Sequence, residues 1–308
     1  MKLKLFKTLW GHAGSLCDAV VAARVSGYDG LEGQAPPAAE DRKQLRARLA
    51  DEGLSYLGEI CTAGTYVPVR SASPADHLES LRRRVELTME CDPIALNVIA
   101  GCDAWTVAQS VEFFGRALEI TGASIVGASF ETHRSRSLFN PWVTRDLLLQ
   151  LPALTLTCDY SHWCVVCERL IDTEPDVLAL CAERARHIHA RVGYDQGPQV
   201  AHPAAPESRE ALEAHERWWS EIWRRQSERG AAYSTMTPEF GPDGYLHQLP
   251  FTGAPVADLE QINGWMAARQ RRRFSEMFPT SVSSQSTAPL PRAEAVSRAF
   301  STVNPQLQ

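Results

Sequence analysis

The sequence predicts an α/β protein built as one (βα)8 TIM barrel, and three observations predict it. Short apolar, β-branched runs alternate with longer helical stretches, the runs begin about every 25 to 45 residues, and there are eight of them. A chain of 308 residues exceeds the usual single core, yet barrels of this kind reach that length as one domain. A doubly wound open sheet would carry a glycine fingerprint after its first strand, and GHAGS at residues 11–15 does not fit GxGxxG.

Taken in order, LKLFKTLW (3–10) is the first strand and Ser15 to Val25 its helix. DGLEG (29–33) precedes a helix over Ala39 to Glu52, SYLGEI (55–60) one over Pro74 to Cys91, and ALNVIAG (95–101) one over Ala104 to Ile120. SIVGASFE (124–131) is followed by Thr144 to Leu149, and LTLTCDY (154–160) by a long helix from His162 to Ala185. HIHARV (187–192) leads to Ser208 to Arg229, and YSTMTPEF (233–240) to Val256 to Phe278. The barrel therefore spans 1–278. Beyond it PTSVSSQSTAPLPR is too poor in apolar residues to build a core, so 279–308 is expected as a flexible Ser/Thr/Pro-rich C-terminal tail, with a short helix over Ala293 to Phe300 able to dock.

Composition excludes several function classes. A formal charge of -6 gives no bulk attraction to polyanions, so no nucleic-acid partner is expected. The arginine groups at Arg82, Arg83 and Arg84 and at Arg269, Arg271, Arg272 and Arg273 read as solvated helix faces. No run approaches the roughly 18 apolar residues that cross a membrane, and MKLKLFKTLW lacks the apolar core of a secretory signal. The expected setting is cytoplasmic and reducing, where eight cysteines remain thiols and the lone CxxC of Cys164 and Cys167 is a packing feature.

Active sites of such barrels form at the C-terminal ends of the strands, so a polar residue closing an apolar run carries most information. Glu131 closes the fifth run, Asp159 the sixth, His189 lies in the seventh and Glu239 closes the eighth. Each alone reads as a cap, an ion-pair partner or a core histidine. All four on successive strands form a ring around one mouth. Three carboxylates and one imidazole suit a single divalent metal ion, Mn2+, Co2+ or Mg2+, with Zn2+ also admissible, better than a thiolate-rich structural zinc site.

At these residues the chain resembles the xylose isomerase-like barrel superfamily, which includes ketose 3-epimerases, hydroxypyruvate isomerases, inosose dehydratases and endonuclease IV. FETHR, CDYSHW with its D-x-x-H, HIHAR with its H-x-H, and TPEFGP carry the resemblance, with GYDGLEG and NVIAGCDAW as supporting echoes. The resemblance implies Glu131, Asp159, His189 and Glu239 as metal ligands, Glu131 and Glu239 also as the catalytic acid/base pair, and His162 as a contact to substrate oxygens. It implies an isomerase or epimerase of a small polyhydroxy-carbonyl substrate, with an inosose- or 3-dehydroshikimate-type dehydratase as the alternative. Two departures matter. ARVGYDQGPQV has Asp195 where ketose 3-epimerases place an arginine, and the loops GLEGQAPP, GEICTAGTY and GCDAW lack the histidines of the three-metal endonuclease IV site.

Other residues stay open between two roles. Arg191 follows His189 by two and points inward, either onto a substrate anion or onto Glu131 or Asp159. His187 reads as a packed histidine behind the site. Glu59 ends the third run and either orients substrate or pairs with a cation. His133, Arg134 and Arg136 form a loop able to close over a polar ligand, while Trp105, Phe139, Trp142 and Trp163 offer an apolar rim. Trp218, Trp219 and Trp223 leave homo-oligomerisation open as a contact patch, with packing on the barrel the preferred reading. A barrel that has lost catalysis and serves as a binding protein is the remaining reading.

Overall fold

Each strand places alternate residues on opposite faces, so a closed sheet sorts its side chains into an interior set and a set that meets the helices. The computed structural model describes residues 1–242 and 244–279, and in it eight parallel strands close in chain order, β8 pairing back on β1. They are β1 (Lys2–Thr8), β2 (Gly30–Gln34), β3 (Ser55–Cys61), β4 (Ala95–Ile99), β5 (Ala128–Glu131), β6 (Leu156–Cys158), β7 (Ala185–His189) and β8 (Tyr233–Thr237). The outward set, including Leu5, Leu31, Ile60, Val98, Phe130, Ile188 and Met236, forms the apolar layer between barrel and helices. Toward the C-terminal ends the inward set is polar. Its registers place Gln34 beside Glu59, Glu59 beside Asn97, and Glu131 beside Thr157.

The helices are α1 (Leu16–Val25), α2 (Ala39–Asp51), α3 (Pro74–Met89), α4 (Val107–Gly122), α5 (Pro141–Gln150), α6 (Ser161–Val166), α7 (Pro175–Arg184), α8 (Arg209–Glu228) and α9 (Leu259–Met277). Local chemistry sets their starts. Ser15 with Asp18, Ser73 with Asp76 and Thr106 with Gln109 form capping boxes, and Asn140 and Asp258 cap α5 and α9. Thr106 thus delays α4 past the expected Ala104, while Asn140 before Pro141 starts α5 three residues early.

The largest departure is the helix expected from His162 to Ala185. It breaks into α6, a 3-10 turn over Ile171–Thr173, and α7, because Glu168 takes a φ of 50° and Pro175 cannot sit inside a continuous helix. The fifth run also shortens, pairing only from Ala128 onward, and the seventh strand ends at His189 rather than 192. The Arg269 group is more than a solvated face. Arg269 donates to buried Glu216 at 2.6 Å, Arg273 approaches the same carboxylate, and Arg271 donates to the Gly27 carbonyl, which docks α9 on α8 and on the α1–β2 turn. Trp219 and Trp223 are buried against the barrel and Trp218 nearly so, which is packing rather than an exposed patch. The cysteines are free, Cys164 and Cys167 among them buried. No described helix is long and apolar enough to cross a membrane. From residue 280 the expected tail, with the helix over 293–300, lies outside the described residues.

Candidate metal centre

Glu131 is the last residue of β5 and His189 the last of β7, Asp159 follows β6 by one, and Glu239 follows β8 by two. Those positions bring a ligand atom from each of the four within 4.8 Å of one another, and all four side chains are buried. His189 is the hinge of the arrangement. Its Nε2 donates to Glu32 Oε1 at 3.0 Å, so in the neutral ring Nδ1 carries the lone pair. Nδ1 lies 2.9 Å from Glu239 Oε2 and 3.5 Å from Glu131 Oε2, yet forms no aligned hydrogen bond with either. A buried, unpartnered nitrogen facing carboxylates from two other strands fits a shared cation, and the donor set of oxygen and imidazole suits a hard to borderline divalent ion.

Electrostatics agree with that fit. Burial alone would lower the His189 ring, but Glu239, Glu32 and Glu131 outweigh it and hold it well above the usual imidazole range. Without a cation the ring keeps a proton to offset its neighbours. Burial raises the Glu131 carboxyl against the pull of His189, and raises Asp159 against the pull of Arg191. Burial also pushes Glu59 up to about 8, helped by Glu239, Glu131 and Glu32.

Several residues around the four had no assigned role in the sequence. Glu32 on β2 is the most consequential. Its Oε1 receives His189, and its Oε2 receives Nε2–H of His187 at 3.1 Å and the Thr237 hydroxyl. Burial tends to raise this carboxyl, but His189 and His187 hold it below the usual range. GYDGLEG contained the signal, since Glu32 falls on the inward-facing alternation of β2 between Gly30 and Gln34. His187 itself accepts from Thr235 at 2.8 Å behind the site. Asn97 on β4 donates to Glu131 Oε2 at 2.7 Å, fixing that carboxylate.

The remaining candidates fall in different places. Arg191 is buried just past the end of β7, pairing with Asp159 while Nε donates to Ser161 Oγ at 3.0 Å and Nη2 to His162 Nε2 at 2.7 Å. His162 is fully buried against His133, their ring centroids 3.9 Å apart, and burial holds both rings neutral. It stands behind the cavity wall rather than on it. Glu59 pairs with no cation among the described residues and accepts only from Gln34 Nε2 at 3.1 Å. Trp105 is not brought to the mouth; its ring packs on His77 and Phe113 at 4.8 and 5.3 Å. Trp163 is likewise buried in the core. Arg136 does not face a ligand either. Its guanidinium donates to the carbonyls of Thr62, Thr65, Tyr66 and Gly101, tying the β5 loop to those after β3 and β4.

The cavity at this mouth is lined by Glu131, Glu239, His133 and Arg191, with Trp10, Tyr66 and Tyr245 as its aromatic rim. It measures about 10 Å3, room for roughly one water. A larger cavity of about 720 Å3 opens at the opposite end, between Leu57, Ala95, Thr155, Ala185 and Tyr233. That end gathers none of the four converging side chains, and strand N-termini are where such barrels keep stability rather than chemistry. The smaller space is therefore the candidate site.

No protein-family model matches the chain, and no curated protein does. Solved structures do. An L-ribulose 3-epimerase aligns over 92% of this chain and 99% of its own, at 15% identity and a TM-score of 0.62. Endonuclease IV from Thermus thermophilus covers 90% of this chain and 100% of its own at 15% identity and a TM-score of 0.56. The probable 3-DHS dehydratase from Bacillus anthracis covers 88% and 100% at 15% identity and a TM-score of 0.57. Identities this low carry the architecture and not the reaction, and on that footing the chain has the closed barrel fold of the xylose isomerase-like proteins.

Proposed function

We propose that the protein is a divalent-metal-dependent isomerase or epimerase of a small polyhydroxy-carbonyl compound, working in a reducing cytoplasmic setting. The observation that carries this reading is the convergence of Glu131, Asp159, Glu239 and the unpartnered His189 Nδ1 on one point. Those four would hold the ion, Mn2+, Co2+, Mg2+ or Zn2+. Bound there, it would polarise the substrate carbonyl and offset charge developing on that oxygen.

The chain's own groups supply the rest. Glu131 and Glu239 both border the cavity, so a substrate carbon held there would lie within reach of both carboxylates. One, ionised, takes the proton beside the carbonyl, and the other, already protonated, delivers its own proton from the opposite face, which epimerises the carbon; delivery at the neighbouring carbon interconverts aldose and ketose. Asn97 orients the Glu131 carboxylate for that transfer through its bond to Oε2. Access requires the Trp10, Tyr66 and Tyr245 rim to part, since the closed space holds about one water. The names of the solved relatives, an L-ribulose 3-epimerase among them, support the same class.

A second reading rests on Glu59. With its carboxyl raised to about 8 it is largely protonated at neutral pH, the form an acid needs to expel a β-hydroxyl as water. That is dehydratase chemistry, and the 3-DHS dehydratase likeness supports it. The test is solvent-deuterium incorporation across ketoses, inososes and dehydroshikimate with Mn2+ present, with absorbance followed for a dehydrated product, an enone from the saturated substrates or an aromatic acid from dehydroshikimate. Exchange without such a product supports the isomerase, and its formation supports the dehydratase. Glu131→Gln and Glu239→Gln are each expected to lower exchange by about 10²- to 10⁴-fold; wild-type exchange in either refutes the assignment.

A further inference from the structure

Resting on the reading of this site as an isomerase, we propose that its substrate carries an oxyanion, a carboxylate or a phosphate ester, received by Arg191 and Arg134 on the ring of Tyr245. Arg191 uses Nε on Ser161 and Nη2 on Asp159 and His162, which leaves Nη1 without a hydrogen bond among the described residues. The side chain nevertheless lines the cavity while only 2% exposed. Its guanidinium carbon lies 4.7 Å from the Tyr245 ring centroid and 5.5 Å from that of Trp10, which fixes its plane. Arg134 lies 4.9 Å from the same Tyr245 ring and makes no side-chain hydrogen bond or ion pair among the described residues.

Arg191 therefore lines the cavity beside Glu131 and Glu239, and Arg134 lies over the same Tyr245 ring, each with N–H donors that no described residue accepts. The Arg191 charge is met by Asp159 and, at 3.7 Å, Glu239, but its buried Nη1 donor has no acceptor among the described residues, and an unmet buried donor is costly. A sugar hydroxyl answers one such donor and no charge, whereas a carboxylate or phosphate matches the guanidinium fork and returns a negative charge. Holding a divalent cation strengthens the demand. Asp159 would then share its charge with the ion, and Arg191 would keep only part of its present counter-ion.

The experiment is calorimetric titration of the full chain, loaded with Mn2+, with a matched trio: D-fructose, D-fructuronate and D-fructose 6-phosphate. We expect at least one anion to bind about 10- to 100-fold more tightly than the neutral ketose, the size of one or two charge-assisted hydrogen bonds. Which anion wins separates a sugar acid from a sugar phosphate. Arg134→Gln, at a partly exposed position that the fold does not use, should cut that preference severalfold, and Arg191→Lys should cut it by losing the planar fork. Equal binding of all three, no binding of either anion, or a preference untouched in both variants overturns the proposal. Deuterium exchange in the same samples keeps the two claims apart: anion preference without exchange in any ligand retains the oxyanion subsite against the isomerase, and exchange without preference does the reverse.

Discussion

Glu32 shows how much of the candidate metal centre lies outside the four converging side chains. By accepting Nε2–H of His189 it fixes the tautomer, and the lone pair of Nδ1 then points toward Glu131 and Glu239. Glu32→Gln is expected to weaken Mn2+ binding about 10- to 100-fold while the protein stays folded, as read by calorimetry and thermal melting. A second consequence concerns pH. The folded pKa of His189 is raised, so its proton contributes stability to the metal-free protein that is complete below about pH 6.5 and fades as pH climbs through the raised value. Metal uptake has the opposite sign, because the ion takes the place of that proton. Mn2+ affinity should thus rise between about pH 6 and pH 8, by about tenfold per unit while one proton is released. A flat profile across that range would contradict the role given to Nδ1.

Among the elements, strands and capped helices were legible in the sequence and loops were not. Short apolar runs exposed all eight strands, and the polar residues Glu131, Asp159, His189 and Glu239 stood out because each interrupts such a run at the end where barrels of this kind gather their chemistry. Glu32 escaped because its run, GLEGQ, is short and glycine-rich, so its carboxylate looked like the start of a loop. Tyr66 and Tyr245 escaped because loops have no period to read; only the folded chain places them over the site. Arg136 is the same lesson in reverse. It sat in a loop that suggested ligand contact, and the fold commits it to four backbone carbonyls of neighbouring loops. Arg136→Met should therefore destabilise the protein by about 3 kcal/mol or more, through acceptors stranded in a buried position. A shift under about 0.5 kcal/mol in denaturant unfolding would show that water replaces the guanidinium freely.

At the scale of the molecule, closing the sheet is what lets residues 131, 159, 189 and 239 become neighbours. Glu131 and His189 sit on strands with β6 between them, and only the curvature of the barrel turns that separation into 3.5 Å. The helices matter to the site indirectly: α9, pinned through Arg269 to Glu216 on α8, closes the ring behind β8 and β1. The same closure explains the crowd of buried carboxylates, tolerable only with compensating positive charge, which Arg191 supplies together with the His189 proton or, in its place, the proposed ion. The direct measurement is anomalous diffraction from crystals grown with Mn2+. The account predicts one strong peak within bonding distance, about 2.0 to 2.6 Å, of Glu131, Asp159, His189 and Glu239. No peak there, or a peak held by other side chains, would contradict it.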